Sequence, residues 1–149
     1  MSNPVTVAAV LSNLVEALRT GLPELLEVET LKGQLGPEEL KGRLAKLPAA
    51  YVTLAGMKLE ESRYANEDGP VSLTLVAFLA APARKDSLEP VDLLHKMVSL
   101  VGTTDAAYAG TGAKITFDRA ENLGGTDAGR DWIYLYALRW SVTRWLAPQ

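Results

Sequence analysis

The sequence predicts an α+β fold, a four- to five-stranded, mainly antiparallel sheet packed against helices. Three observations predict it. Residues 131–146 alternate with period two, which is the signature of a strand. Residues 5–20 and 87–101 repeat apolar side chains at helical spacing. Two apolar runs, 49–59 and 71–81, flank a polar stretch holding Asn66-Glu67-Asp68-Gly69-Pro70, which is the pattern of a hairpin. At 149 residues the chain fits one domain, 1–149, with enough length to bury a core without disulfide staples.

The elements follow in order. Val7, Leu11, Leu14 and Leu18, widened by Val10, give the first helix its apolar stripe. Gly21 and Pro23 should end it, the glycine in a left-handed cap. Residues 25–32 read as a short strand, with Leu26 and Val28 on one side. Pro37 opens a short helix to about Ala45, with Glu38 and Glu39 in the dipole-favoured first turn. The run 49–59 is mostly apolar, as in a central strand. In 71–81, Val71, Leu73 and Leu75 alternate with Ser72 and Thr74, so one face starts wet.

The helix over 87–101 has Asp86 and Glu89 in a capping-box arrangement and Pro90 in its first turn. Its stripe is Val91, Leu94, Met97, Val98 and Val101, and Gly102 closes it. Residues 102–112 read as a loop, 113–118 as a short strand, and 119–131, with Gly124-Gly125 and Gly129, as another loop. The last strand sets Trp132, Tyr134, Tyr136, Leu138, Trp140 and Val142 on one face. Ile133, Leu135, Ala137, Arg139, Ser141 and Thr143 occupy the other.

Composition narrows the function classes. Hydrophobic residues are 48% and charged residues 22% of the chain, a globular mix rather than a disordered one. Without cysteine there is no disulfide, no thiolate catalysis and no cysteine-based zinc site. The net charge is −3, with no clustered basic footprint for nucleic acid. The acidic excess lies in residues 1–70, and the last eighteen residues carry Arg139 and Arg144 and no acid. No apolar run reaches the length of a bilayer span, and the N-terminus predicts no secretion signal.

No motif for chemistry is complete. His95, the single histidine, falls on the polar side of its helix, so a surface position is expected rather than a general base. A small enzyme built on it would need a pocket of converging polar groups around the imidazole. Ser62, Ser87, Ser99 and Ser141 lack the Gly-x-Ser-x-Gly elbow. Gly110-Thr111-Gly112-Ala113-Lys114 lacks the Gly-Lys-Ser/Thr ending of a phosphate loop. The acid pairs Glu38-Glu39, Glu60-Glu61 and Glu67-Asp68 read as solvated helix starts or loop tips. The sequence therefore predicts no catalytic residue, no cofactor and no metal.

What remains is a candidate interface. The aromatic C-terminus contains Trp132, Trp140 and Trp145, with Arg139 and Arg144 beside the last two. Aromatics and arginine are the residue types of interface hot spots, although a core face fits the same pattern. The charged stretch 60–70, with Glu67 and Asp68, is a second candidate contact at the hairpin tip.

Five segments together carry a family likeness. They are Gly21-Leu22-Pro23 after the first helix, Leu47-Pro48-Ala49-Ala50-Tyr51 opening a strand, and the apolar run Leu73 to Ala80. Leu93-Leu94 through Leu100-Val101-Gly102 follows on a helix, and the aromatic strand Trp132 to Val142 closes the set. On these, the chain resembles the tail terminator (tail completion) proteins of Mu-like contractile-tailed bacteriophages and prophages. The resemblance covers nearly the whole chain and consists of apolar patterns and element order, without a polar signature.

The resemblance implies a structural virion protein rather than an enzyme. Such a protein forms a homo-oligomeric ring, commonly a hexamer, that caps the finished tail tube. The ring stops tube polymerisation and offers a surface for head–tail joining. The implied partners are the tail tube protein, the tail sheath protein and the head–tail connector or neck proteins. DNA would pass through the lumen without sequence-specific binding, and no membrane is involved. The implied location is the virion, with assembly in the host cytoplasm. A head–tail neck or stopper protein is the alternative within the same class.

Overall fold

A computed structural model describes residues 7–31, 46–59, 71–84, 87–103, 114–128 and 131–144. The fold is α+β. Helix α1 spans Val7–Gly21 and helix α2 spans Glu89–Val101. The strands are β1 (Glu27–Thr30), β2 (Ala49–Leu59), β3 (Val71–Ala83), β4 (Ile115–Ala128) and β5 (Asp131–Arg144). They form one sheet in the order β1-β2-β3-β5-β4. Every pairing is antiparallel except β1 with β2. The expected hairpin is the β2–β3 pair. The expected helix over 37–45 and the tip at Glu67-Asp68 lie outside the described residues.

The central pair is β3 with β5, in unbroken register from Val71↔Arg144 to Ala83↔Trp132. One sheet face carries the main core. Leu73, Leu75, Ala77 and Leu79 of β3 and Tyr136, Leu138, Trp140 and Val142 of β5 lie on it. Both helices pack against that face. Val10, Leu14, Val15 and Leu18 come from α1, and Met97 and Val101 from α2. A second, smaller cluster holds the opposite strand positions: Ala49, Tyr51, Ala80 and Ile133 with Leu47. No described polar or charged residue is buried, so the core is held by apolar burial at about 25 cal/mol per Å².

Several local expectations change in the structure. Gly21 has no left-handed backbone. Its role is space, because a Cβ there would sit 2.6 Å from a Leu100 methyl where α1 meets α2. Asp86, expected to cap the start of α2, lies outside the described residues. The cap position of α2 is Leu88, with no side-chain cap bond, and the Glu89 amide donates to Ser87 Oγ at 3.2 Å. Val91 is exposed rather than part of the stripe, because the core contacts of α2 fall further along, at Met97 and Val101.

The largest correction concerns residues 119–131. The sequence predicts a loop there, yet β4 runs through to Ala128 and matches β5 in length at 14 residues. Two irregularities make this possible. The register shifts between Phe117 and Arg119 and again between Asn122 and Gly125. At the second shift Gly124 takes φ 89°, and its amide donates to Asn122 Oδ1 at 2.7 Å. A Cβ on Gly125 would strike the Trp132 indole and the Ile133 carbonyl, so the ring lies against the glycine. Bare backbone is thereby covered by an aromatic from the neighbouring strand.

Trp140 is wholly buried and meets Phe117 edge-on, with centroids 6.4 Å apart. Trp140→Ala is expected to cost about 3–5 kcal/mol in urea unfolding, as for other buried aromatics. Gly125→Ala is expected to cost about 1–3 kcal/mol through overpacking against Trp132. An unchanged urea midpoint for Gly125→Ala would contradict the indole packing.

Candidate functional site

The first bulge of β4 decides which side chains meet on the outer face of the sheet. Ile115 and Phe117 pair with Val142 and Trp140, on the helix-covered face. Asp118 is then the extra residue. The bulge shifts the following residues by one position, so Arg119 pairs with Arg139 and Glu121 with Ala137. All three charged side chains now project from the face away from the helices, as alternation requires.

They form a triplet. Arg139 Nε donates to Glu121 Oε1 at 2.9 Å, and Arg119 Nε donates to the same oxygen at 2.8 Å. Arg139 is the more enclosed arginine, with its side chain 29% exposed against 63% for Arg119. The two guanidinium hydrogen bonds hold the Glu121 carboxyl below its ordinary 4.5, with Arg139 the larger influence. Two cations share one carboxylate, so the cluster keeps a single positive charge. Both bonds run through Nε.

Beside the triplet lies a row of short side chains. Thr116 pairs with Ser141, Ser141 with Thr74, and Thr74 with Gly56 across four strands. A Cβ on Gly56 would meet nothing within 4 Å, so the face is open there. The result is a row of short, mostly hydroxyl-bearing side chains next to the arginine pair.

The structure separates the sequence-predicted interface residues. Trp140 has no exposure and offers no surface to a partner, which corrects its place in the candidate interface. Trp132 is half-buried against Gly125 on the same face as Trp140. Arg139, though adjacent in sequence, points to the opposite face. Arg144 ends β5 opposite Val71. Trp145, Glu67 and Asp68 lie outside the described residues. The sequence does not mark Arg119 and Glu121 as site residues, because the composition of 119–131 predicts a loop. A usable signal existed, since a long strand apolar on both faces needs partners along both edges.

His95 does line a groove, of about 780 Å³, between the end of α1 and α2. Its other polar lining groups include Glu24, Asp92, Lys96, Ser99 and Thr103. Lys96 Nζ is engaged with Glu24 Oε2 at 3.0 Å, which lowers the Glu24 pKa. His95 is exposed, and no hydrogen bond joins it to Ser99 or Asp92, so the groove shows no nucleophile–base pair. Among the described residues there is no group of metal-ligating side chains, and no helix is long and apolar enough to cross a membrane. No protein-family model matches the chain, and no curated protein matches it in sequence.

Glu121 and Glu24 are both more acidic in the folded protein than their ordinary value of 4.5. Their stabilisation is therefore complete above the unfolded pKa and is lost as pH falls through the folded one. The urea midpoint of the wild type should drop on acidification from about pH 6 to about pH 3. The Glu121→Gln/Glu24→Gln variant should show a shallower drop, and an identical profile would remove both ion pairs from the acid response.

Proposed function

We propose that the chain is a structural virion protein that assembles as a ring on the finished phage tail tube. The ring stops further tube growth and presents the surface on which the head-side connector docks. The segments quoted above for the tail terminator likeness support the reading, and so does the α+β sheet with helices on one face. The observation that carries it is a charge contrast between two parts of one small chain. The outer sheet face bears an arginine-rich triplet, while residues 60–70, linking β2 to β3, are acidic. Closing a ring needs two different patches per subunit, because each copy meets its neighbours head to tail.

In this reading the other partners are the tail tube protein, the sheath protein and the connector or neck proteins. The ring is commonly a hexamer in the family the chain resembles. With an overall charge of −3 per subunit, DNA would be repelled rather than gripped in the lumen. No catalytic step is assigned to the chain, and its place of action is the virion.

Negative-stain electron microscopy of particles assembled without this gene tests the reading. Overlong tubes, or finished tails without heads, are expected. Tails of normal length with a sealed top would move the protein to the neck as a stopper. Deleting 61–69 should leave the circular dichroism spectrum of the fold intact and reduce capping, and a deletion variant that caps normally would count against the hairpin segment.

A further inference from the structure

We infer that the free edge of β4 pairs with the β4 edge of a second copy of this chain, antiparallel and centred on Ala120. Two five-stranded sheets then join across a two-fold axis. The contact is isologous, so it goes beyond the head-to-tail contacts of a ring and does not depend on them.

Three observations carry it. First, the two ends of the sheet differ. At β1 the Val28 carbonyl already accepts from Arg19 Nη2 of α1, at 2.7 Å. At β4, the end strand among the described residues, Thr116 to Ala120 and Asn122 to Gly125 are exposed. A strand with one neighbour turns alternate amides and carbonyls outward, where another strand can pair. Second, the exposed large hydrophobics of the described strands both lie here. Phe117 is 39% and Leu123 44% exposed. They flank Arg119–Asn122, the regular stretch between the two register shifts.

Third, that stretch is self-complementary in charge. In a two-fold antiparallel pair one residue lies opposite itself. With Ala120 in that place, Arg119 of each copy lies opposite Glu121 of the other, and Phe117 reaches the end where the other Leu123 lies. Centring on Arg119 or Glu121 sets like charges together, and centring on Asn122 leaves both charges opposite uncharged residues. Arg119 and Glu121 share the outer sheet face, as cross-strand partners must. Glu121 also has room for a further donor. Both of its arginine bonds end on Oε1, and no donor among the described residues reaches Oε2. The bulges on either side keep the pairing short, so the dimer is weak and salt-sensitive.

The test is sedimentation velocity on the full chain over a dilution series, with circular dichroism confirming the fold of each variant. The wild type is expected to show a monomer–dimer equilibrium that weakens at high salt. Arg119→Glu and Glu121→Lys each set like charges opposite one another and should weaken the dimer by about tenfold or more. Leu123→Lys, an exposed edge substitution, should weaken it as well. Mixing Arg119→Glu with Glu121→Lys restores opposite signs at both cross-strand pairs, so heterodimers should form where neither variant dimerises alone. In the wild type, the amides of 116–123 should exchange more slowly at high protein concentration than at low.

A wild type that is monomeric at every concentration overturns the inference and leaves the ring reading to the tail-length experiment. Self-association that survives both Arg119→Glu and Leu123→Lys places the contact on another surface and overturns it equally. So does a mixture of two folded charge variants that stays monomeric, or β4 exchange that ignores concentration. If Glu121→Lys does not fold, Arg119→Glu, Leu123→Lys and the exchange measurement decide.

Discussion

The unbroken pairing of β3 with β5 is the constraint on which the rest of the structure depends. From Val71↔Arg144 to Ala83↔Trp132 there is no register shift. A one-residue slip would exchange every core residue of a strand for an outer one. Here that would expose Leu75, Leu79, Leu138 and Trp140 together, all of them wholly buried. The pair is also non-local, because α2 and β4 lie between its strands in the chain. The register is thus enforced by the combined burial of both faces rather than by a turn.

The irregularities sit outside this pair. Extra residues occur in β2, at Ala55, and in β4, at Asp118 and at Leu123-Gly124. Flanking strands absorb the bulges because one of their edges is free of the central register. The consequence for function is direct. A bulge re-aims side chains, and that at Asp118 changes Arg119 from a core-facing position to an outer one. The charged triplet is a product of edge irregularity on a regular centre.

Much of this was legible in the sequence. Alternation in 131–146 gave the correct core face of β5, and the helical stripes located α1 and α2 to within two residues. Trp140 illustrates the ambiguity that pattern leaves. Its position within the apolar period marked it as core, while its neighbour Arg139 suggested a contact surface. Adjacent strand residues point to opposite faces, so the two never belonged to one patch. The extent of β4 was not legible, because Asp118, Asn122 and the two glycines are poor strand formers. They are held there by the unmet hydrogen bonds along the second edge of β5.

The sequence by itself determined the fold class, the hairpin of β2 and β3, the core face of the last strand and the want of a complete catalytic motif. These follow from periodicity and residue type, which are local properties of the chain. Only the tertiary structure decided the strand order, the parallel placement of β1, the full length of β4 and the meeting of Arg119, Glu121 and Arg139. Those depend on register between segments distant in sequence. Register is set by the simultaneous burial of many side chains, and no single segment encodes it.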